Sequence, residues 1–261
     1  MSLPALRLIT SALFLIITTI FLRATYILSR RQQKPSPKTG PSHILIVLGS
    51  GGHTAEMMSL LRDLDPKRYF HRTYIVSSGD NFSQNKAGEV ERTIQTKFRS
   101  ETKGKEKGRV SEEGMVDSET GIWEVRVVPR ARKIHQPLFT TPLSSLWCLL
   151  NCFYALYGSS RSSKVAKGQY PDVIVTNGPA TAVIVILSAK VLQFFGVAPL
   201  EKLKIVYVES WARVRSLSLS GRILLGWGVC DRFLVQWEGL ARRLNGNGTR
   251  KRVDWEGFLV G

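Results

Sequence analysis

The chain begins with an apolar run. From Leu8 to Leu22 there is no charge, and the apolar character returns at Tyr26, Ile27 and Leu28. Interrupted by Arg23 and flanked by Arg7, it reaches roughly 20 residues, the span that a bilayer core requires. Residues 1–28 therefore read as a transmembrane anchor, with Arg23 close enough to one end to snorkel. A basic, Pro-rich linker follows over residues 29–42, with Arg30, Arg31, Lys34 and Lys38 crowded against the apolar run. That crowding outweighs the lone Arg7, so the positive-inside rule places residues 30 onward in the cytosol. No small-x-small cleavage site accompanies the run, which favours an anchor over a signal peptide.

Beyond the linker the pattern alternates between short apolar runs and longer apolar helices. His43–Leu48 is continuously apolar, as a central parallel strand is when both faces are covered. Further strands are expected at Thr73–Ser77, Trp123–Val128, Asp172–Thr176, Lys204–Val208 and Arg232–Gln236. Helices are expected at Thr54–Leu64, at 142–157 and at Ala180–Phe195, the last apolar enough to be buried. Residues 97–121 are charged and glycine-dotted and read as a disordered insertion. The repeated strand–loop–helix order predicts an α/β fold with a doubly wound, Rossmann-like parallel sheet over residues 43–261. In such sheets ligands bind at the carboxyl ends of the strands. Those ends carry the loops Gly49–Thr54, Ser77–Ser83, Pro129–Gln136, Asn177–Ala180, Glu209–Arg215 and Gln236–Gly239.

Charge and cysteine narrow the setting. The 261 residues carry a formal net charge of +17. The basic cluster beside the anchor assigns part of it to an anionic membrane surface, and the aromatic–basic interleaving of RNA-binding modules is missing, so no nucleic-acid partner is expected. Cys148, Cys152 and Cys230 make no disulfide framework and no metal-ligand set, which fits reduced thiols in a cytosol-facing domain. The aromatic helix 142–157, behind its basic loop, reads either as core or as a surface that touches the membrane. Two sequons, at Asn81 and Asn247, are expected to stay unglycosylated in this orientation.

The loop Gly49-Ser50-Gly51-Gly52-His53-Thr54 lets the backbone approach a ligand, and the helix start behind it favours an anion. It is not a dinucleotide fingerprint, which needs glycine where Thr54 stands, and it lacks the lysine of a Walker loop. His53 is a candidate general base, or a histidine that only bonds the next loop. Asn177-Gly178-Pro179 can hold a phosphate or sugar, or simply turn the chain into a helix. Glu209 and Ser210 follow a strand in the same way; the glutamate can bind sugar hydroxyls or orient a base, or serve a helix start.

Taken together, GSGGHTAEM, VPRAR, VTNGPATA, VYVESWARVRSLS and RFLVQW, in this order behind an anchor, resemble the membrane-anchor subunits of the two-part UDP-N-acetylglucosamine transferase that acts on dolichol-linked oligosaccharide precursors. The resemblance covers roughly residues 43–261 outside the insertion. The set is also similar to the amino-terminal half of the bacterial glycosyltransferase that acts on a lipid diphosphate. It implies the acceptor-side half of a GT-B enzyme, with the chain ending before a second such domain forms. A soluble catalytic subunit would bind the UDP-GlcNAc donor. The acceptor would be GlcNAc-diphosphodolichol, and the product would carry a second, β1,4-linked GlcNAc with inversion at the anomeric carbon. No metal and no cofactor are implied. The setting would be the cytosolic face of the endoplasmic reticulum membrane, extending to the nuclear envelope. Residue by residue, the resemblance makes His53 and Glu209 the catalytic candidates. It assigns substrate binding to Gly49, Ser50, Gly51, Gly52, Thr54, Asn177, Gly178 and Ser210. The apolar end around Trp255 and Phe258-Leu259-Val260 is expected to be poorly ordered alone and to pack on the partner subunit.

Two other readings stay open. One is a self-contained, membrane-anchored Rossmann enzyme that uses a nucleotide cofactor. The other is a scaffold whose loops do no chemistry.

Overall fold

The computed structural model describes residues 3–31, 40–103, 120–132, 136–157, 170–178, 180–246 and 251–259. The first element is α1 (Leu3–Arg31), whose Arg7–Ile27 stretch is long and apolar enough to cross a membrane. Its apolar side chains, among them Phe14, Leu15 and Phe21, are exposed. Arg23 meets the folded domain. Its guanidinium donates from Nε to the Phe194 carbonyl at 2.6 Å and from an Nη to that of Gln193 at 3.1 Å. Those carbonyls end a helix of the folded domain, where a cation is favoured.

The domain runs β1 (His43–Val47), α2 (Gly52–Leu61), β2 (His71–Ser77), α3 (Asn81–Lys103), β3 (Ile122–Val128), a 3₁₀ turn (Leu138–Thr140) and α4 (Thr141–Leu156). It continues with β4 (Val173–Thr176), α5 (Ala180–Phe194), β5 (Lys204–Val208), α6 (Leu219–Trp227), β6 (Arg232–Leu234) and α7 (Glu238–Asn245). The six strands form one sheet in the order β3-β2-β1-β4-β5-β6, every pair parallel. β1 is buried along its whole length because helices cover both faces. Ile44, Ile46 and Leu48 face Met57, Leu61 and Ala87 of α2 and α3. Leu45 and Val47 face the larger core built by α4, α5 and the carboxyl-terminal helices.

All six strands fall where the apolar runs place them. The helices differ more. α3 was not anticipated, and it carries residues 97–103 into a helix where an insertion was expected; residues 104–119 lie outside the described residues. The reason is amphipathic: Ala87, Glu91 and Ile94 recur at helical spacing on its buried side, and polar helix formers fill the rest. Lys97 fastens the helix to the turn after α2, donating to Asp63 at 2.9 Å and to the Arg62 carbonyl at 3.1 Å. α6 and α7 are likewise additional. Helix α4 has one buried and one exposed apolar side. Cys148, Cys152, Ala155 and Leu156 are buried, while Leu143, Leu146, Trp147, Leu150 and Tyr154 are exposed on the outer side. The three cysteines are free thiols.

The carboxyl-terminal segment is also more fixed than expected. Asp254 pairs with β6 in a parallel bridge, the Asp254 amide donates to Phe233 and the Val235 amide to Asp254, and Trp237 lies against Phe258. Residues 260 and 261 lie outside the described residues.

At the opposite end of the sheet, the starts of β1 and β2 stack His43 on His71 with ring centroids 3.7 Å apart. Thr73 donates its one hydroxyl proton to Glu124, so its oxygen accepts from Nε2 of His43 at 2.9 Å. That leaves Nδ1 of His43 buried without a partner. Burial, then the neighbouring His71 and Arg126, pull the pKa of His43 down to about 3 against the opposing effect of Asp172 and Glu124. Burial works against ionisation of Glu124, yet His71 and Arg126 hold its pKa near about 2. Both groups bind protons more readily in the unfolded chain, so folding loses stability as pH falls. For His43 the loss builds from its ordinary value of 6.5 down to about 3. We expect the melting temperature of the detergent-solubilised chain to fall between neutral pH and mild acid. His43→Gln is expected to flatten the upper part of that decline; an unchanged slope in the variant would assign the acid sensitivity elsewhere.

Candidate functional site

The strand order reverses between β1 and β4, so the chain leaves these neighbouring strands toward opposite faces of the sheet. Four predicted segments meet at the crevice this creates. Gly51 turns the chain into α2 at φ 58°, ψ −120°, a backbone conformation open mainly to glycine. Gly178 faces it from the end of β4, and a Cβ there would lie 3.3 Å from Cα of Gly49. Gly51 and Gly52 are exposed at the helix start.

The loop is held from beneath. The Thr54 hydroxyl bonds the Gly49 carbonyl and lies 2.7 Å from the Ser83 hydroxyl. Ser83 is itself within 2.9 Å of the Gly49 carbonyl and 2.8 Å of Asp80 Oδ2, and its amide donates to Asp80 Oδ1 at 3.1 Å. Thr54 and Ser83 are fully buried. Thr54, expected among the substrate contacts, is thus a brace that fixes the loop's shape.

Above this brace, His53 is half-buried in the first turn of α2, with its Nδ1 enclosed and unpartnered. Its carbonyl accepts from the Asn177 side-chain amide at 2.8 Å. The same Nδ2 lies 3.3 Å from Oε2 of Glu56, and Oε1 of Glu56 accepts from the Ser210 hydroxyl at 2.7 Å. Glu56 therefore joins the loops after β1, β4 and β5. It is part of the GSGGHTAEM motif, but the sequence gives it no role of its own, because the partners that define it lie on the loops after β4 and β5.

Glu209 is turned another way. It is 1% exposed, and both carboxylate oxygens have partners within the chain. Oε1 accepts from the Ser210 amide at 3.1 Å; Oε2 accepts from the amide and the hydroxyl of Ser218, each at 3.1 Å. Ser218 in turn caps α6 by accepting from the Gly221 amide at 3.0 Å. Burial raises the pKa of Glu209, while the Ser218 and Ser210 bonds favour its charged form. Of the two residues expected to do chemistry, His53 has a buried side-chain nitrogen with no partner among the described residues, and Glu209 does not.

Beside this network lies a cavity of about 110 Å³ lined by Gly49, Ser50, Ser77, Gly178 and the first residues of α5. Arg130 and Arg132, from the loop after β3, form part of its wall. Nε of Arg130 donates to the Ser78 carbonyl at 3.0 Å, and Arg132 reaches the Gln136 carbonyl at 3.2 Å. Two guanidinium groups and the amino end of a 15-residue helix give this space a positive field. Residues 133–135 and Pro179 lie outside the described residues. The basic loop was noticed in the sequence, but its approach to Gly49 and Ser50 depends on β3 and β1 sharing one sheet.

A family profile described as "Oligosaccharide biosynthesis protein Alg14 like" matches residues 44–253. The chain is 39% identical to the UDP-N-acetylglucosamine transferase subunit alg14 of Aspergillus fumigatus, over 78% of this chain and 100% of the relative. It is 36% identical to the subunit of the same name in Schizosaccharomyces pombe, over 88% of this chain and 87% of the relative. It is 34% identical to that of Rattus norvegicus, over 77% of each. Among solved structures, Arabidopsis thaliana UGT89C1 complexed with UDP-L-rhamnose aligns over 83% of this chain and 51% of its own, at 11% identity and a TM-score of 0.42.

Gly221→Ala tests the structural place of Glu209. Alanine in a helix ordinarily gains up to about 1 kcal/mol over glycine. Here the new Cβ would overlap Oε2 of Glu209. We expect net destabilisation of roughly 1–3 kcal/mol, the cost of overpacking, read as a lower melting temperature. A gain in stability would show that Glu209 can leave α6 at little cost.

Proposed function

We propose, for a chain that belongs to the Alg14 family of oligosaccharide biosynthesis proteins, that it is the membrane-anchored, acceptor-binding subunit of a UDP-N-acetylglucosamine transferase. The observation that carries the proposal is the basic cavity at the β1/β4 crevice, lined by the Gly49–Ser50 backbone, Gly178 and two arginines. A diphosphate fits the chemistry of that wall: two guanidinium groups, the Gly49–Ser50 backbone and the start of α5. The acceptor GlcNAc would then lie toward His53, Asn177 and Ser210. A soluble partner would bring UDP-GlcNAc to the same crevice, in a GT-B arrangement of two Rossmann-like halves.

The reaction is a displacement. The acceptor hydroxyl oxygen attacks the anomeric carbon of GlcNAc, the bond from that carbon to the UDP oxygen breaks, and the configuration inverts to the β1,4 linkage. His53 takes the hydroxyl proton, and UDP leaves with the bonding electron pair. Glu209 supports Ser210 and the start of α6 from behind. No metal or cofactor has a part in this scheme.

Anchoring would place the site on the cytosolic face of the endoplasmic reticulum membrane and the continuous nuclear envelope. α1 supplies the span, and the exposed Leu143–Tyr154 face of α4 is suited to the membrane interface. The apolar cleft of Trp237, Trp255 and Phe258 beside β6 is our candidate contact for the partner subunit.

In membranes containing both subunits, labelled N-acetylglucosamine should pass from UDP to a GlcNAc-diphospholipid, and neither subunit alone should suffice. Transfer by this chain alone, or nucleotide binding by it, would favour the self-contained enzyme. His53→Ala should lower transfer about 100-fold or more, the usual worth of a general base. Wild-type activity in that variant would support the scaffold reading. Arg130→Ala with Arg132→Ala should raise the KM for the lipid acceptor and leave that for UDP-GlcNAc unchanged. Deleting residues 258–261 should weaken capture of the partner; capture at full strength would move the interface elsewhere.

A further inference from the structure

Glu56 has no part in the reaction scheme, yet it sits at the centre of the crevice. The residue is 7% exposed. Among the described residues it makes no ion pair; its partners are the Ser210 hydroxyl and the Asn177 amide, both neutral. A carboxylate so enclosed is costly to bury unless its bonds do something that an apolar residue cannot.

What the bonds do is orient Asn177. The two atoms facing Nδ2 of Asn177, the His53 carbonyl oxygen and Oε2 of Glu56, can only accept, or in the case of Glu56 accept whenever it is ionised. The NH₂ group must therefore point toward α2, which settles the orientation of the amide. Its other end, Oδ1, is then buried with no donor among the described residues, in a residue only 1% exposed. A buried acceptor left open in this way can take a donor that a ligand brings into the crevice. A hydroxyl group of a bound sugar has the required chemistry, and the enclosed Nδ1 of His53 belongs to the residue that Asn177 already touches.

We infer that Glu56 is a positioning residue for the acceptor sugar: it holds Asn177 with its carbonyl oxygen presented to a sugar hydroxyl, and it draws Ser210 to the same place. The inference rests on the crevice being the acceptor-sugar site. It is a hydrogen-bonding role and does not require charge. Glutamine at position 56 can accept from Asn177 through its oxygen and donate to the Ser210 oxygen through its amide. Leucine fills a similar volume and can do neither.

The test is acceptor and donor kinetics of the membrane-bound two-subunit complex, with co-purification of the partner and melting temperature as controls for folding. Glu56→Leu should lower kcat/KM for the GlcNAc-diphospholipid by about tenfold or more, the effect of losing one well-placed buried hydrogen bond. The KM for UDP-GlcNAc should not change. Glu56→Gln should recover most of the loss. If glutamine is as impaired as leucine, the charge matters and the positioning role is overturned. If leucine transfers as the wild type does, the role is overturned as well. Should Glu56→Leu fail to fold or to hold its partner, the decision passes to Asn177. Asn177→Ala must then show the same acceptor-specific loss, with Glu56→Gln adding nothing to it; normal acceptor kinetics or additive losses overturn the inference. A wild-type complex that transfers no sugar defeats the transferase reading itself. A wild-type complex that transfers, with variants that ignore position 56, defeats only this inference.

Discussion

The reversal of strand order between β1 and β4 is the constraint on which the rest depends. Had the sheet continued in one direction, the loops after these strands would cross the same face and cover the strand ends. Because they part, the ends of two adjacent strands stay open, and the loops that follow them supply the lining. The glycines at 51 and 178 are consequences. One admits a backbone conformation denied to other residues, and the other admits the close approach of two loops that the open crevice brings face to face.

An open crevice is useful only if its walls keep their shape, and here polar bonds beneath the surface maintain it. The carbonyl of Gly49 is tied down by Thr54 and Ser83, with Asp80 behind them. Farther back, Arg72 and Glu91 form a buried two-pronged pair at 2.7 Å, with the Tyr74 hydroxyl also donating to Glu91 at 2.7 Å and the Tyr69 carbonyl accepting from Arg72. This pair fastens α3 to β2. Such a fully satisfied network adds little net stability over an apolar core, but it permits few alternative packings. α3 begins at the very turn that carries Asp80 and Ser83, so a fixed α3 means a fixed glycine loop.

The sequence was informative where physics is local. A strand covered on both faces is largely apolar, so β1 and β4 announce themselves, and the glycine loop is visible from its own composition. It was misleading where one face of an element carries all the information. Residues 97–103 look like solvated insertion because Phe98 is the one apolar residue among them. It was silent where the partners are distant in the chain. Glu56 meets Asn177 and Ser210 across more than 100 residues. Glu209 follows a strand just as Ser210 does, and nothing nearby reveals that its carboxylate turns back toward Ser218. Pattern therefore located the crevice, whereas the division of labour inside it required the packed side chains.

The anchor and the site are joined by one element. Arg23 of α1 grips the carboxyl end of α5, and the amino end of α5 lines the basic cavity. At about 1.5 Å per residue, the 15 residues of α5 span roughly 22 Å, which bounds how far the cavity can stand from the end of the membrane span. If the cavity takes the lipid-borne diphosphate of the proposed function, that group cannot rise far from the bilayer, and α5 standing upright would leave the cavity out of its reach. α5 laid along the surface would bring both of its ends to the membrane, and α4, which packs against it, would then present its aromatic outer face to the lipid. On the proposed function, the exposed apolar face of α4, the grip of Arg23 and the basic cavity would be parts of one arrangement, in which the helix behind the crevice also sets its height above the membrane.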